Sequence, residues 1–217
     1  MEIEYIRPEE IEKRSFEIIS HELELRGYDP FRGISEKQLN VIKRCIHTTA
    51  DFDYADTLFF SEGAAEKFEE LIRAGASIVT DTNMASAGIS RKALEKRGNK
   101  IFCFMADEDV AKSAKERGIT RASVAMERAM KLDGPVIFAI GNAPTALVTL
   151  RDHFDPGDYR PDFVIGVPVG FVNVEAAKEL IICSGIPCIV NRGRKGGSTV
   201  AAAIVNALLY GMDGNGR

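Results

Sequence analysis

Short apolar runs alternate with amphipathic stretches along most of this chain. The strand-like runs are "TLFFS" (57–61), "ASIVTD" (76–81), "KIFCFM" (100–105), "PVIFAIG" (135–141), "DFVIGVP" (162–168) and "PCIVN" (187–191). Helix-period segments separate them at 62–74, 107–117, 120–132, 142–154, 172–184 and 198–210. In the first of these, Ala64, Ala65, Phe68, Leu71 and Ile72 share one face. Near-continuous apolar strands alternating with helices predict a mainly parallel sheet covered on both faces. Two further helical segments, at 8–26 and 35–49, come before this unit, and the second opens with "SEKQ", a capping box of Ser35 and Gln38. No repeat or low-complexity linker interrupts the pattern. A single domain over 1–217 is expected, with a helical extension (1–50) packed on an α/β core (55–210).

In open α/β sheets, ligands bind beyond the carboxyl ends of the strands. Here the segments that follow the strands are "SEG" (61–63), "DTNMASAG" (81–88), "ADED" (106–109), "GNAPT" (141–145), "PVGF" (168–171) and "NRGRKGGS" (191–198). Their shared wealth of polar residues and glycines predicts a broad pocket floor at that edge. Composition narrows what could occupy it. The formal charge is −4 and 45% of residues are hydrophobic, so no global basic field invites nucleic acid. No apolar run reaches the roughly 20 residues of a bilayer-spanning helix. The opening "MEIEYIRPEE" lacks the features of a signal peptide, and Cys45, Cys103, Cys183 and Cys188 form no C-x-x-C pair. A cytoplasmic protein with reduced cysteines is expected.

Five stretches carry candidate chemistry. In "NRGRKGGST", Gly196 and Gly197 allow close backbone approach just before an apolar helix, while Arg192, Arg194 and Lys195 add positive charge. The lysine precedes the glycines, so this is no Walker loop. Carboxylate recognition is favoured over a merely solvated basic turn. Asp81, at the end of a strand, is either a helix cap or a pocket acceptor. "GNAPTAL" reads equally well as a plain strand-to-helix turn. Arg121 stands at a helix start, where the dipole disfavours a cation, which suits a nearby ligand anion as well as ordinary exposure.

The fifth is "RCIHTTADFDYAD" (44–56). On helix 35–49 the residues Leu39, Ile42 and Ile46 form the core stripe, and His47 falls outside it. Neither His21 nor His153 is spaced to share a metal with it, and no G-x-S-x-G elbow supplies a triad nucleophile. Two readings survive: a lone acid–base histidine, or a histidine that merely ends a helix.

Taken in order, "IHTTADFDYA", "DTNMASAGI", "TRASVAM", "GNAPTAL", "PVGFVN" and "GRKGGSTVAAAIVNALL", with "RSFEII" near the start, closely resemble the precorrin-8X methylmutase family of cobalamin biosynthesis. The resemblance spans essentially the whole chain. It departs at Val174 and Ala177, where the family pattern has an alanine and a serine. It implies a three-layer α/β/α flavodoxin-like fold, a homodimer, and an isomerase without cofactor or resident metal. The implied substrate is a corrinoid tetrapyrrole, precorrin-8X or cobalt-precorrin-8, and the implied reaction moves a methyl group between adjacent carbons of ring C to give hydrogenobyrinic or cobyrinic acid. By the same resemblance His47 is the proton donor. Ser15, Thr82, Arg121, Arg192, Arg194, Lys195, Gly196, Gly197 and Ser198 line the substrate site. Two other classes are weighed against this: a tetrapyrrole carrier using the same basic rim, and a signalling or nucleotide domain of similar fold, for which "TLFFSEG" supplies too few acidic residues. Neither nucleic acid nor membrane is an expected partner.

Overall fold

The computed structural model describes residues 3–28, 33–154 and 157–214. A 3₁₀ turn (Pro8–Glu10) leads into α1 (Ile11–Leu25) and α2 (Glu36–Thr49). The capping box forms as the sequence predicts: the Ser35 hydroxyl accepts from the Gln38 amide, and the Gln38 side chain accepts from the Ser35 amide. After α3 (Tyr54–Thr57) come β1 (Leu58–Phe60), α4 (Ala64–Arg73), β2 (Ser77–Thr80), α5 (Asn83–Gly88), α6 (Arg91–Glu95) and β3 (Ile101–Phe102). The remainder comprises α7 (Glu108–Arg117), α8 (Arg121–Ala129), β4 (Val136–Ile140), α9 (Pro144–Phe154), β5 (Phe163–Gly166), α10 (Val174–Ile182), β6 (Cys188–Asn191) and α11 (Ser198–Gly211).

The six strands lie in the order β1-β6-β5-β4-β2-β3. All neighbours pair in parallel except β1, which runs antiparallel to β6 with Leu58 opposite Asn191. The twofold alternation of strand side chains splits the interior in two. Ile137, Ala139, Phe163, Ile165 and Ile189 join a core made with α1, α2, α4 and α11. Val136, Phe138, Ile140, Val164 and Val190 face a second core, made with α7 to α10. Helices therefore cover both faces, as the continuous apolar strands predict. The helix α11 is buried almost all round, and its small residues let other helices come close. At Gly88, on α5, an added Cβ would stand only 2.9 Å from the Ala202 Cβ.

Besides the short α3, which the pattern does not predict, the structure departs from the sequence pattern in three places. The segment 82–95, for which the pattern predicts no element, holds the short helices α5 and α6. At the sheet edge β3 has two residues, where the pattern suggests six at 100–105; Phe104 leaves the strand and stacks on Phe102 at 5.7 Å. The third concerns "SEG". Because β1 is antiparallel, Ser61 lies at the opposite edge, where its hydroxyl accepts from the Cys188 amide at 2.8 Å. "SEG" therefore does not belong to the pocket floor. Among the described residues no helix is long and apolar enough to cross a membrane.

Candidate active site

The reversal of β1 brings the N-terminal extension to the carboxyl edge of the sheet. Thr57, just before β1, donates its hydroxyl to Asn191 Oδ1 at 2.7 Å, and its carbonyl accepts from the Arg192 amide at 2.8 Å. Shortly before it in the chain is the end of α2. That helix buries Val41, Ile42, Cys45 and Ile46, while the predicted stripe member Leu39 is only half-buried. His47 is exposed in the last turn, off the core face as its phase requires. Its ring lies on that of Phe16 from α1, with centroids 5.3 Å apart and planes inclined by 15°. The Arg44 guanidinium covers Phe16 as well, 4.7 Å from its centroid. Thr48 and Thr49 turn their hydroxyls back to the carbonyls of Arg44 and Cys45, both at 2.8 Å, and Ala50 closes the helix in a left-handed conformation. These contacts hold the histidine's backbone and one ring face, leaving its edge open.

The loop after β6 meets this helix end directly. Lys195 Nζ donates to the carboxylates of Asp51 (2.5 Å) and Asp53 (2.6 Å). Lys195 holds the Asp51 carboxyl below its ordinary range and is itself pushed up by the two aspartates. The aspartates that follow His47 are thus clamps on the loop. Arg194 pairs with Glu175 at 3.2 Å, and Arg192 lies 3.5 Å from Glu179. Every cation of this loop has a carboxylate beside it. Water reaches and screens both arginine pairs, so each is held weakly and an incoming carboxylate can compete for it. Gly196 has no room for a side chain: an added Cβ would stand 2.1 Å from the Val167 carbonyl oxygen. The Gly197 amide is already committed to that same carbonyl, at 2.9 Å.

From here contacts run along the strand ends. Ser198 Oγ, at the start of α11, lies 2.8 Å from Thr82 Oγ1, and Thr82 caps α5 by accepting from the Ala85 amide. An added Cβ at Gly141 would come within 2.7 Å of the Ser198 Cα, so the end of β4 presses on the same point. Beyond it, the Thr145 and Thr120 hydroxyls meet at 2.8 Å, which brings the start of α8 and Arg121 to the loop after β4. Arg121 is exposed and makes no ion pair among the described residues. Ser15 neighbours Phe16 on α1, but its hydroxyl is spent on the Ile11 carbonyl at 2.9 Å. The fold thus strings His47, the 192–198 loop, Thr82 and the start of α8 along one edge, with Ser15 behind the histidine's stacking partner.

Two buried charges support this edge, and neither role is apparent from the sequence. Asp81, open there between cap and acceptor, is neither a cap nor an exposed acceptor. Its oxygens accept the backbone amides of Gly141 (2.8 Å), Asn142 (2.8 Å) and Ala143 (2.6 Å), fixing the loop after β4. Burial pushes its carboxyl up, and those three donors pull it back. Lys178 lies beneath the 192–197 loop, fully buried. Its signal in the sequence is its phase: on α10 it shares the buried face of Val174, Ala177 and Ile181, a lysine inside an apolar stripe. Among the described residues no group of three or more His, Cys, Asp or Glu is arranged to hold a metal.

An accessible histidine and an arginine-bearing glycine loop on the carboxyl edge of an α/β sheet put one proton-transfer group and two anion-pairing groups on the same edge. Comparison with known proteins makes this specific. The family model "CbiC: Precorrin-8X methylmutase" matches residues 10–211. The cobalt-precorrin-8 methylmutase of Salmonella typhimurium is 43% identical over 205 residues, covering 94% of this chain and 95% of the relative. The precorrin-8X methylmutase of Pseudomonas aeruginosa is 39% identical over 210 residues, covering 95% and 97% respectively. Among solved structures, the precorrin-8X methyl mutase of Thermus thermophilus superposes with a TM-score of 0.83 at 37% identity, covering 95% of this chain and 99% of the other. The chain belongs to the precorrin-8X methylmutase family.

Proposed function

We propose that the carboxyl edge described above binds precorrin-8X, or its cobalt-containing counterpart, and that His47 lends a proton to the macrocycle while a methyl group passes between adjacent carbons of ring C. The protein is an isomerase of cobalamin biosynthesis. The shift conserves atoms and electrons: the bond from the methyl to one ring carbon breaks as that to its neighbour forms, and the borrowed proton returns to the imidazole. No nucleophile or co-reactant enters this balance. Protonation makes the conjugated system electron-poor, which lowers the barrier to migration, and a shaped pocket holds the migrating geometry. The peripheral acetate and propionate groups of the substrate suit Arg121, Arg192 and Arg194, with the close backbone of Gly196, Gly197 and Ser198 beside them. Lys195 contributes through its clamp on Asp51 and Asp53, and Ser15 and Thr82 through the elements they tie down.

The observation that carries this reading is the exposed edge of His47, held against Phe16 beside the basic loop. Its test is His47→Ala in the purified protein, followed by the visible spectrum during conversion of precorrin-8X. Turnover is expected to fall by about 10²–10⁴-fold, while hydrogenobyrinic acid still binds. Unchanged turnover would remove the histidine from the mechanism, and tight product binding without any turnover in the wild type would favour a carrier.

Two broader parts of the reading have their own support. Counting only the parallel strands in chain order, the sheet reads 2-1-3-4-5, the order of flavodoxin-type folds. We also infer a homodimer and a cytoplasmic location. For the dimer the support is a stripe of apolar residues at seven-residue spacing on α1: Ile11, Ile18 and Leu25 are 53%, 42% and 74% exposed.

A further inference from the structure

A lysine on the inner face of a helix requires a physical reason. Met or Leu would fill position 178 without the cost of removing an ammonium from water, and they would keep the stripe of Val174, Ala177 and Ile181 apolar. What the ammonium adds is two bonds. Lys178 Nζ donates to the carbonyls of Gly193 at 2.7 Å and Lys195 at 2.8 Å. Both acceptors lie in the loop that presents Arg192 and Arg194, one on each side of Arg194. The loop has other ties. Asn191 Nδ2 donates to the carbonyls of Arg192 and Lys195, and the Gly170 amide donates to the carbonyl of Arg194. Lys178 is the tie that brings a charge to the loop, and it comes from a different element, α10.

We propose that Lys178 is a positioning residue for substrate recognition: its buried ammonium draws two carbonyls of the 192–197 loop inward and so holds the Arg192 and Arg194 side chains outward, toward the carboxylates of the corrinoid. This rests on the reading that the loop binds those carboxylates. The curvature follows from the geometry, because a single point donor that engages residues 193 and 195 together pins the loop at two carbonyls with Arg194 between them. The charge is present at neutral pH. Burial pushes the amine down to about 8 and the nearby Glu175 opposes this, so the group remains protonated below that value.

The test compares Lys178→Met, Arg192→Gln/Arg194→Gln and the triple variant with wild type, in the full-length protein. Binding is read by visible titration with hydrogenobyrinic acid, and turnover with precorrin-8X. Lys178→Met is expected to raise both KM and the product Kd by about tenfold while leaving kcat at saturation within about threefold, the signature of lost uniform binding. The triple variant is expected to bind no more weakly than the arginine double variant, because Lys178 acts through those arginines. A general packing defect would instead lower kcat and add to the arginine loss, and that outcome overturns the proposal. Wild-type Kd and KM in folded Lys178→Met overturn it also. If the arginine double variant itself keeps wild-type affinity, the reading of the loop as a carboxylate site fails, and the proposal with it. Should far-ultraviolet circular dichroism show that Lys178→Met is unfolded, Lys178→Gln serves the same comparison. Amide hydrogen exchange at 193–197 must then quicken in that variant, and unchanged exchange overturns the proposal.

Discussion

Asp81 shows how much of this site depends on single polar atoms. A carboxylate has two oxygens that only accept, and here they take three backbone amides in an interior where unpaired donors are costly. Asparagine has nearly the same shape but offers one acceptor and an amide group that would face the loop's own N–H donors. Asp81→Asn is therefore expected to lose about 2–4 kcal/mol of stability, read as a lower urea midpoint with an unchanged slope. A midpoint equal to wild type would mean that the loop after β4 holds its shape without the carboxylate. The sequence shows the character of such residues better than their partners. The helical phase of His47 on α2 is enough by itself to lift it off the core. For Asp81 and Lys178 the partners are backbone groups of another segment, and side-chain identity carries no record of them.

Close approach rules at the scale of elements. β5, β6 and α11 converge on Gly196, where φ is +156° and the space for a Cβ is taken by the Val167 carbonyl. Gly196→Ala is expected to force the loop away from β5. That should cost about 1–3 kcal/mol in thermal unfolding and weaken hydrogenobyrinic acid binding together with it; a folded variant with undiminished affinity would show that the loop tolerates the shift. All six strands and eight of the helices are legible from periodicity, because each carries enough apolar residues to define a period. The helices α3, α5 and α6 are too short for a period to emerge. The direction of β1 is silent for another reason: "TLFF" reads as an apolar strand whichever way it runs, and only its pairing with β6 decides. That one undetermined sign moves "SEG" off the pocket floor and puts the end of α2 onto it.

For the molecule as a whole, the apolar stripe on α1 is a feature that a lone chain leaves unsatisfied. If two copies bury it, Ile18→Glu places a charge at the middle of the contact and is expected to turn a dimer into a monomer in sedimentation velocity, with the far-ultraviolet spectrum unchanged. A wild type that sediments as a monomer across the micromolar range would remove the dimer reading. The pairing at the sheet edge bears on how this protein is made. Thr57 and Asn191 are 134 positions apart, and their contact joins the histidine-bearing helix end to the loop after the last strand. During synthesis the N-terminal helices emerge long before β6 does, and closing so long a span is a late and slow event. A growing chain can therefore contain His47, and even much of its sheet, without being able to use either. Competence to handle a reactive tetrapyrrole comes only once β6 and the loop after it have left the ribosome.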